Sequence, residues 1–487
     1  CTHTEEARAR LRSPARNTSG KKALSSNSST KLSIPRVVIA GLKGGSGKTT
    51  LSIGLVGALR KRGHNVAAFK KGPDYIDAGW LASASGAPCH NLDPYLIGKN
   101  RIAASFTTHA SGADFAVIEG NRGLFDGMDS SGSMSTSVVA RELKTPVVLI
   151  VDCTKATRSI AAILKGVENF ERGLKLGGFV LNHVAGKRHE AVIRESIEKY
   201  LRPPVLGALP RLKDLRMPER HMGLTPQQEH PEVDDAIAWA TELVEKHVDI
   251  DALIKIAAKA PALSTQAEPA LPAPRGKRPR IGVIVDSAFQ FYYPENFDSL
   301  ERRGAELVRL SALTDRALPS LDALYIGGGF PETHAIALSE NRSFRRSLKA
   351  AAQSGLPVYA ECGGLIYMGR KLKMEGKSYP MAGVLPIDFE LRRRPQAHGY
   401  TALKVSKANP FLKRGLELKG HEFHYSKVTR VDTGDGVSFA YRMLRGEGIA
   451  DGMDGLMFKN VLATYTHIHA LGFPEWAEGM IRAARKR

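Results

Sequence analysis

The decapeptide Gly41-Leu42-Lys43-Gly44-Gly45-Ser46-Gly47-Lys48-Thr49-Thr50 constrains this chain more than any other stretch. It follows Val37-Val38-Ile39-Ala40, an unbroken apolar run of the kind that forms a buried parallel strand. It precedes residues 51–59, whose apolar side chains recur at helical spacing. Strand, glycine loop and helix are the context in which a backbone curls around phosphate. The glycines let several N–H groups point at one anion, and the N-terminus of the following helix adds partial positive charge. Gly44, Gly45, Ser46, Gly47 and Thr50 line such a cradle. Lys48 reaches the β and γ phosphates, and Thr49 offers a hydroxyl to Mg²⁺.

The loop reads G-x5-G-K-T, one residue off the standard spacing, with a second lysine, Lys43, inside it. In this it resembles the signature-lysine branch of P-loop proteins, which includes the MinD and ParA ATPases, nitrogenase iron protein and dethiobiotin synthetase. That resemblance leaves open whether Lys43 acts within its own chain or across a homodimer. Within this branch an Asn at the position of Asn182 touches the adenine base; an amide satisfying a loop backbone is the equal alternative.

From Pro35 to about Leu253, apolar runs at 37–40, 65–69, 115–118, 146–151, 177–181 and 205–208 alternate with helical stretches. This is the rhythm of a parallel sheet covered by helices. Ligands of such sheets sit at the carboxyl ends of the strands. The run ending at Phe69 leads into Asp74 and Asp77, the run ending at Ile118 into Glu119 and Asp126, and the run ending at Val151 into Asp152. A carboxylate there, beside a P-loop, is placed to hold Mg²⁺. Glu119 leads for that role, Asp77 follows, and Asp74 and Asp126 are placed to orient a substrate or a second ion. Each acid taken singly is equally a helix cap or turn residue.

Residues 255–279, dense in Ala and Pro, read as a linker. Residues 1–34, rich in Ser, Thr, Lys and Arg, read as a disordered tail without the apolar core of a secretory signal. Residues 280–487 form a second α/β unit, with strands expected at 281–285, 306–310, 323–326 and 356–361. The expected fold class is therefore α/β, two doubly wound domains at 35–254 and 280–487.

The strand ending at Glu361 meets Cys362-Gly363-Gly364 before a helix. Small residues there permit the sharp turn of a nucleophile elbow, with cysteine in the serine position. The helix N-terminus is expected to lower the thiol pKa. The cysteine needs a base, and His467, at the end of an apolar run near the C-terminus, is the leading one of 15 histidines. Gly328, Gly329 and Gly363 can present N–H groups to an oxyanion without obstruction.

A net charge of +21 on 487 residues calls for an acidic partner. The charge is scattered, with no basic stripe interleaved with aromatics, so an acidic small molecule is favoured over nucleic acid. No run long enough for a transmembrane helix occurs. Four cysteines without a C-x-x-C pair fit a reducing cytoplasm.

Several motifs in order carry a wider resemblance: the loop at 41–50, Lys71-Gly72-Pro73-Asp74-Tyr75-Ile76-Asp77, Asn91-Leu92-Asp93-Pro94-Tyr95, Glu119-Gly120 with Phe125-Asp126-Gly127, Gly327-Gly328-Gly329-Phe330-Pro331-Glu332, Glu361-Cys362-Gly363-Gly364, Gly420-His421-Glu422-Phe423-His424-Tyr425 and Tyr465-Thr466-His467. Over residues 35–487 the chain resembles the cobyrinate a,c-diamide synthase family, in which a dethiobiotin-synthetase-like ATP domain is joined to a class I glutamine amidotransferase domain of the flavodoxin-like type. The resemblance implies glutamine hydrolysis at Cys362 with His467 as base. It implies ATP-dependent activation of the a- and c-acetate carboxylates of a corrinoid, with ammonia displacing phosphate. Asp74 and Asp77 would position Mg²⁺ or ammonia. Amidation of hydrogenobyrinate, sirohaem or nickel sirohydrochlorin, and a MinD/ParA-type ATPase switch, are the alternatives. Many class I amidotransferases carry Glu two residues after the catalytic His; here His469 stands there, leaving a Cys–His dyad or an unassigned third member.

Overall fold

The computed structural model describes residues 29–212, 219–220, 223–230, 232–266 and 276–487. Seven parallel strands form the N-terminal sheet, in the order His90–Leu92, Val66–Lys71, Phe115–Glu119, Arg36–Gly41, Val147–Asp152, Leu176–Val184, Val205–Pro210. Successive side chains of a strand point to opposite faces. Val38 and Ala40 therefore join one core, under helices Ile102–His109, Thr136–Glu142, Arg158–Phe170 and Lys187–Tyr200. Val37 and Ile39 join the other, under Lys48–Lys61, Ile76–Ser85, Val233–His247 and Ile250–Ala257. Both faces being covered explains why the central strands read as continuous apolar runs. The P-loop helix lies against Val233–His247 because Gly54 and Gly57 face Ala240 and Thr241, where a Cβ would collide.

Six of the seven strands lie where apolar runs are found; His90–Leu92 is too short to stand out by composition. Two expectations are corrected. Residues 29–34 are not unstructured: Ser29–Leu32 pairs antiparallel with Leu263–Gln266, and Ile34 is buried. Nor is all of 255–279 a linker, since Ile250–Ala257 is a helix packed on the sheet and Leu263–Gln266 is a strand. The buried Arg36 guanidinium fastens this return. It donates to the carbonyls of Leu143, Ile34 and Pro261 and to the Thr145 hydroxyl. The rest of the expected tail, 1–28, and residues 267–275 of the expected linker lie outside the described residues.

The C-terminal sheet has ten strands. Glu306–Leu310, Arg280–Ile284, Ala323–Ile326, Val358–Glu361 and Val461–Thr464 run parallel. The sheet continues antiparallel through Met453–Phe458, Val437–Arg445, Ala397–Val405 and Glu417–His424. It then curls: the short strand His467–Ile468 pairs with Glu417–His424, which sets His421 opposite His467. A separate sheet of four strands, Lys377–Pro380, Lys371–Met374, Ile387–Leu391 and Ser426–Val431, extends this unit.

The two units are in direct contact. Tyr95 donates to the carbonyl of Thr401 at 3.0 Å and Tyr400 donates to Asp93 at 2.7 Å. His90 contacts Glu295 at 3.0 Å.

Candidate active site

The glycine loop is shaped from within. Gly45 and Gly47 have φ of 67° and 91°. A Cβ on Gly47 would stand 2.5 Å from Asn182 Nδ2, so glycine is required there on two grounds. The Asn182 amide donates to the Ser46 carbonyl at 2.9 Å, and its Oδ1 accepts from the His183 N–H. Of the two readings open for Asn182, the structure shows the amide satisfying the loop backbone. Lys48 Nζ donates to the Lys43 carbonyl at 3.0 Å. Lys43 itself, 66% exposed, pairs with Asp152 of the same chain at 3.0 Å. Burial, with Lys70 nearby, holds the Lys48 ammonium below its ordinary range.

Behind the loop lies a buried charge cluster. Glu119 Oε1 accepts from the Thr49 hydroxyl at 2.7 Å and from Lys70 Nζ at 2.9 Å. Lys70 also reaches Asp77 Oδ2 at 2.6 Å. Burial by itself would lower the Lys70 ammonium, but Asp77 and Glu119 outweigh it and the group is raised. Glu119 is pushed up to about 7 by burial, against the pull of Lys70. Asp74 is pushed up to about 6 by burial and by Asp77. Two carboxyl groups, Glu119 and Asp74, thus face too little positive charge, and Glu119 Oε2 is buried with no hydrogen-bond partner among the described residues. An oxygen donor set short of positive charge, beside a Thr hydroxyl, fits a hard divalent cation such as Mg²⁺.

Of the predicted acids, Asp77 and Glu119 are brought together. Asp74 joins them while its Oδ1 accepts from the Asp77 N–H at 2.9 Å, the capping role. Asp126 accepts from the Gly123 N–H at 2.9 Å and acts on the cluster only through its charge near Lys48. Lys70 escaped the sequence reading. Its signal was the sheet register, which pairs Lys70 with Glu119.

In the second unit Cys362 sits at φ 48° and ψ −99°, a strained conformation for a residue with a side chain, and its N–H donates to the Thr464 carbonyl at 2.8 Å. This is the geometry of a nucleophile elbow. The expected lowering of the thiol pKa is corrected. Burial, then the Glu332 carboxylate, pushes the thiol up, and the Gly363 N–H offsets them only in part. The sulfur lies 3.7 Å from the Phe423 carbonyl, and no hydrogen bond joins it to His467 among the described residues. Gly363 and Gly329 are in close approach, 3.0 Å between the Gly329 nitrogen and a Cβ built on Gly363. The Gly364 N–H is committed to the Gly327 carbonyl. His467 borders the same loop, with Nε2 3.1 Å from a Cβ built on Gly328. Its Nδ1 lies 3.4 Å from Glu361 Oε2. His469, at the position of the missing Glu, turns away and lies 3.6 Å from Glu295.

Tyr75 joins the two centres. It follows Asp74 directly and reaches across the seam into an aromatic box. Its ring stacks on Phe291 at 5.1 Å and lies 4.6 Å from Tyr293, 5.5 Å from His421 and 5.4 Å from His467. One side chain therefore spans from the carboxylate cluster to the elbow histidine.

Comparison with known proteins agrees with this division. Residues 37–224 match the CobQ/CobB/MinD/ParA nucleotide binding domain, and residues 280–474 match the CobB/CobQ-like glutamine amidotransferase domain. The chain is 42% identical over 459 residues to the cobyrinate a,c-diamide synthase of Magnetococcus marinus, covering 93% of this chain and 98% of that one. It is 41% identical over 457 residues to the cobyrinate a,c-diamide synthase of Archaeoglobus fulgidus, covering 94% and 99%. With the P-loop, the cysteine elbow and both domains accounted for over nearly their whole lengths, this chain belongs to the cobyrinate a,c-diamide synthase family of glutamine-dependent ligases.

Proposed function

We propose that the protein amidates the a- and c-acetate carboxylates of cobyrinate or hydrogenobyrinate, using ATP and glutamine, in cobalamin biosynthesis. The observation that carries this reading is the seam itself, where Tyr75 bridges the carboxylate cluster and the elbow histidine. A switch ATPase of the MinD/ParA type has no use for that junction.

In this reading the Cys362 sulfur attacks the glutamine amide carbon, and its proton passes through His467 to the departing nitrogen. Gly328, Gly329 and Gly363 supply N–H donors to the oxyanion. Ammonia leaves, and water then cleaves the thioester to glutamate. In the other unit the P-loop residues Gly44, Gly45, Ser46, Gly47, Lys48, Thr49 and Thr50 hold ATP, with Lys43 beside them. A carboxylate is a poor electrophile, so its oxygen takes the γ-phosphoryl group to give an acyl phosphate. Ammonia then adds at the carbon and phosphate departs. Thr49, Asp77 and Glu119 hold Mg²⁺, which supplies charge neutralisation on the phosphates when bound. Asp74 and Asp126 orient the acceptor and the ammonia. The basic balance of the chain suits a polycarboxylate substrate. Neither nucleic acid nor a membrane enters the reaction. Among the described residues no helix is long and apolar enough to cross a membrane.

The test is incubation with glutamine, MgATP and separate tetrapyrrole acids, read by mass spectrometry. Cobyrinate or hydrogenobyrinate should lose about one mass unit per OH-to-NH₂ exchange, twice, with glutamate formed. Conversion of sirohaem or nickel sirohydrochlorin instead would reassign the substrate, and ATP turnover without any amide would defeat the reading.

A further inference from the structure

His467 carries no acid two residues downstream, yet its Nδ1 is buried. The Nδ1 atom faces inward at 2% side-chain exposure, and the carboxylate it faces is Glu361 Oε2 at 3.4 Å. Glu361 is itself fully buried. Its remaining contacts are neutral: the Tyr325 hydroxyl donates to Oε2 at 3.1 Å, and the Ile468 N–H donates to Oε1 at 3.3 Å. The other buried acids nearby are committed elsewhere. Asp454 accepts from the Thr464 hydroxyl and from the N–H groups of Tyr465 and Thr466. Glu422 accepts from the N–H groups of Glu447 and Gly448. Glu295 serves His90 and His469.

We infer that Glu361, the residue immediately before the elbow cysteine, is the positioning acid of the amidotransferase centre, in place of the acid two residues after the histidine. The inference rests on the proposed glutamine hydrolysis at Cys362. A buried carboxylate costs free energy unless a charge partner forms. Here the partner forms during catalysis, when His467 takes the sulfur proton on Nε2 and becomes imidazolium. Glu361 then faces a cation across 3.4 Å. At rest the Nδ1 atom makes no hydrogen bond among the described residues, so Glu361 acts through its charge on the imidazolium, with Nε2 left on the side of the glycine loop. The parallel register of Val358–Glu361 with Val461–Thr464 sets the geometry: Glu361 pairs with Thr464, three residues before His467. One strand end thus supplies nucleophile and acid together, and its neighbour supplies the base.

The substitution Glu361→Gln keeps the size and acceptor oxygen while removing the charge. It should lower the glutamine-dependent kcat by about 10²-fold or more, as loss of an orienting acid does elsewhere. KM for glutamine should stay within about threefold, and ammonia-dependent amidation within about twofold, because neither uses the imidazolium. Tyr325→Phe, which leaves the charge in place, should retain glutamine-dependent kcat within about fivefold. Glutamine-dependent kcat of Glu361→Gln within about threefold of the parent, with Cys362→Ser inactive on glutamine, would overturn the inference alone. Equal loss of glutamine- and ammonia-dependent activity in Glu361→Gln would also overturn it, as a purely structural role. Glutamine-dependent activity surviving in Cys362→Ser would overturn the underlying hydrolysis.

Discussion

Replacing Lys70 by Met is the sharpest test of the carboxylate cluster. The ammonium is 1% exposed and neutralises Asp77 at 2.6 Å and Glu119 at 2.9 Å. Removing one partner of a buried ion pair costs about 3–5 kcal/mol, because the remaining charge has neither water nor counter-ion. For a domain of this size the melting temperature should fall by about 6–20 °C at pH 8. The loss should depend on pH. Glu119 is already held at about 7 and Asp74 at about 6 in the parent, both above their ordinary values. A carboxyl whose folded value exceeds its unfolded value binds more protons when folded, so stability rises as pH falls from about 7 toward the unfolded value. Without Lys70 both groups move further up. At pH 5.5 they are protonated, and the destabilisation should shrink to less than about half its pH 8 value. Thermal melts of parent and variant at the two pH values, followed by circular dichroism, measure this. A shift under about 2 °C at pH 8, or equal shifts at both pH values, would refute the account of a cluster short of positive charge.

Two further outcomes are expected. Gly47→Ala places a Cβ 2.5 Å from Asn182 Nδ2 at a backbone φ of 91°, so it should weaken nucleotide binding at least about tenfold and cost about 1–3 kcal/mol of stability; unchanged affinity in a fluorescent-nucleotide titration would contradict the loop geometry. Tyr75→Ala removes the ring lodged against His467, Tyr293 and Phe291. Glutamate formed per amide product should then exceed the parent ratio, since ammonia escapes at the opened seam; an unchanged ratio would show that Tyr75 does not couple the centres.

Local pattern carried the phosphate loop, the parallel sheet and the elbow, because each is written in consecutive residues. A buried strand is an apolar run, a cradle is a run of glycines, and an elbow is a cysteine between a strand and two glycines. The rule that ligands meet strand carboxyl ends singled out Asp77 and Glu119 as candidates, while the elbow pattern singled out Cys362 and its need for a base His467. The errors also had local causes. A Ser- and Thr-rich segment reads as a tail unless its partner strand, Leu263–Gln266, is known to return beside it. The thiol was expected to ionise readily from the helix behind it, whereas burial and Glu332, distant in sequence, push it the other way.

What consecutive residues determined, then, is the two kinds of domain, the phosphate loop and the cysteine elbow, with candidate side chains for each. Which groups meet was decided by the tertiary structure. Lys70 faces Glu119 through strand register, Glu361 meets His467 through the curl of a ten-stranded sheet, and Tyr75 reaches His467 only because two domains close on each other. Register, curl and docking are sums over contacts far apart in the chain, and no window of neighbouring residues contains them.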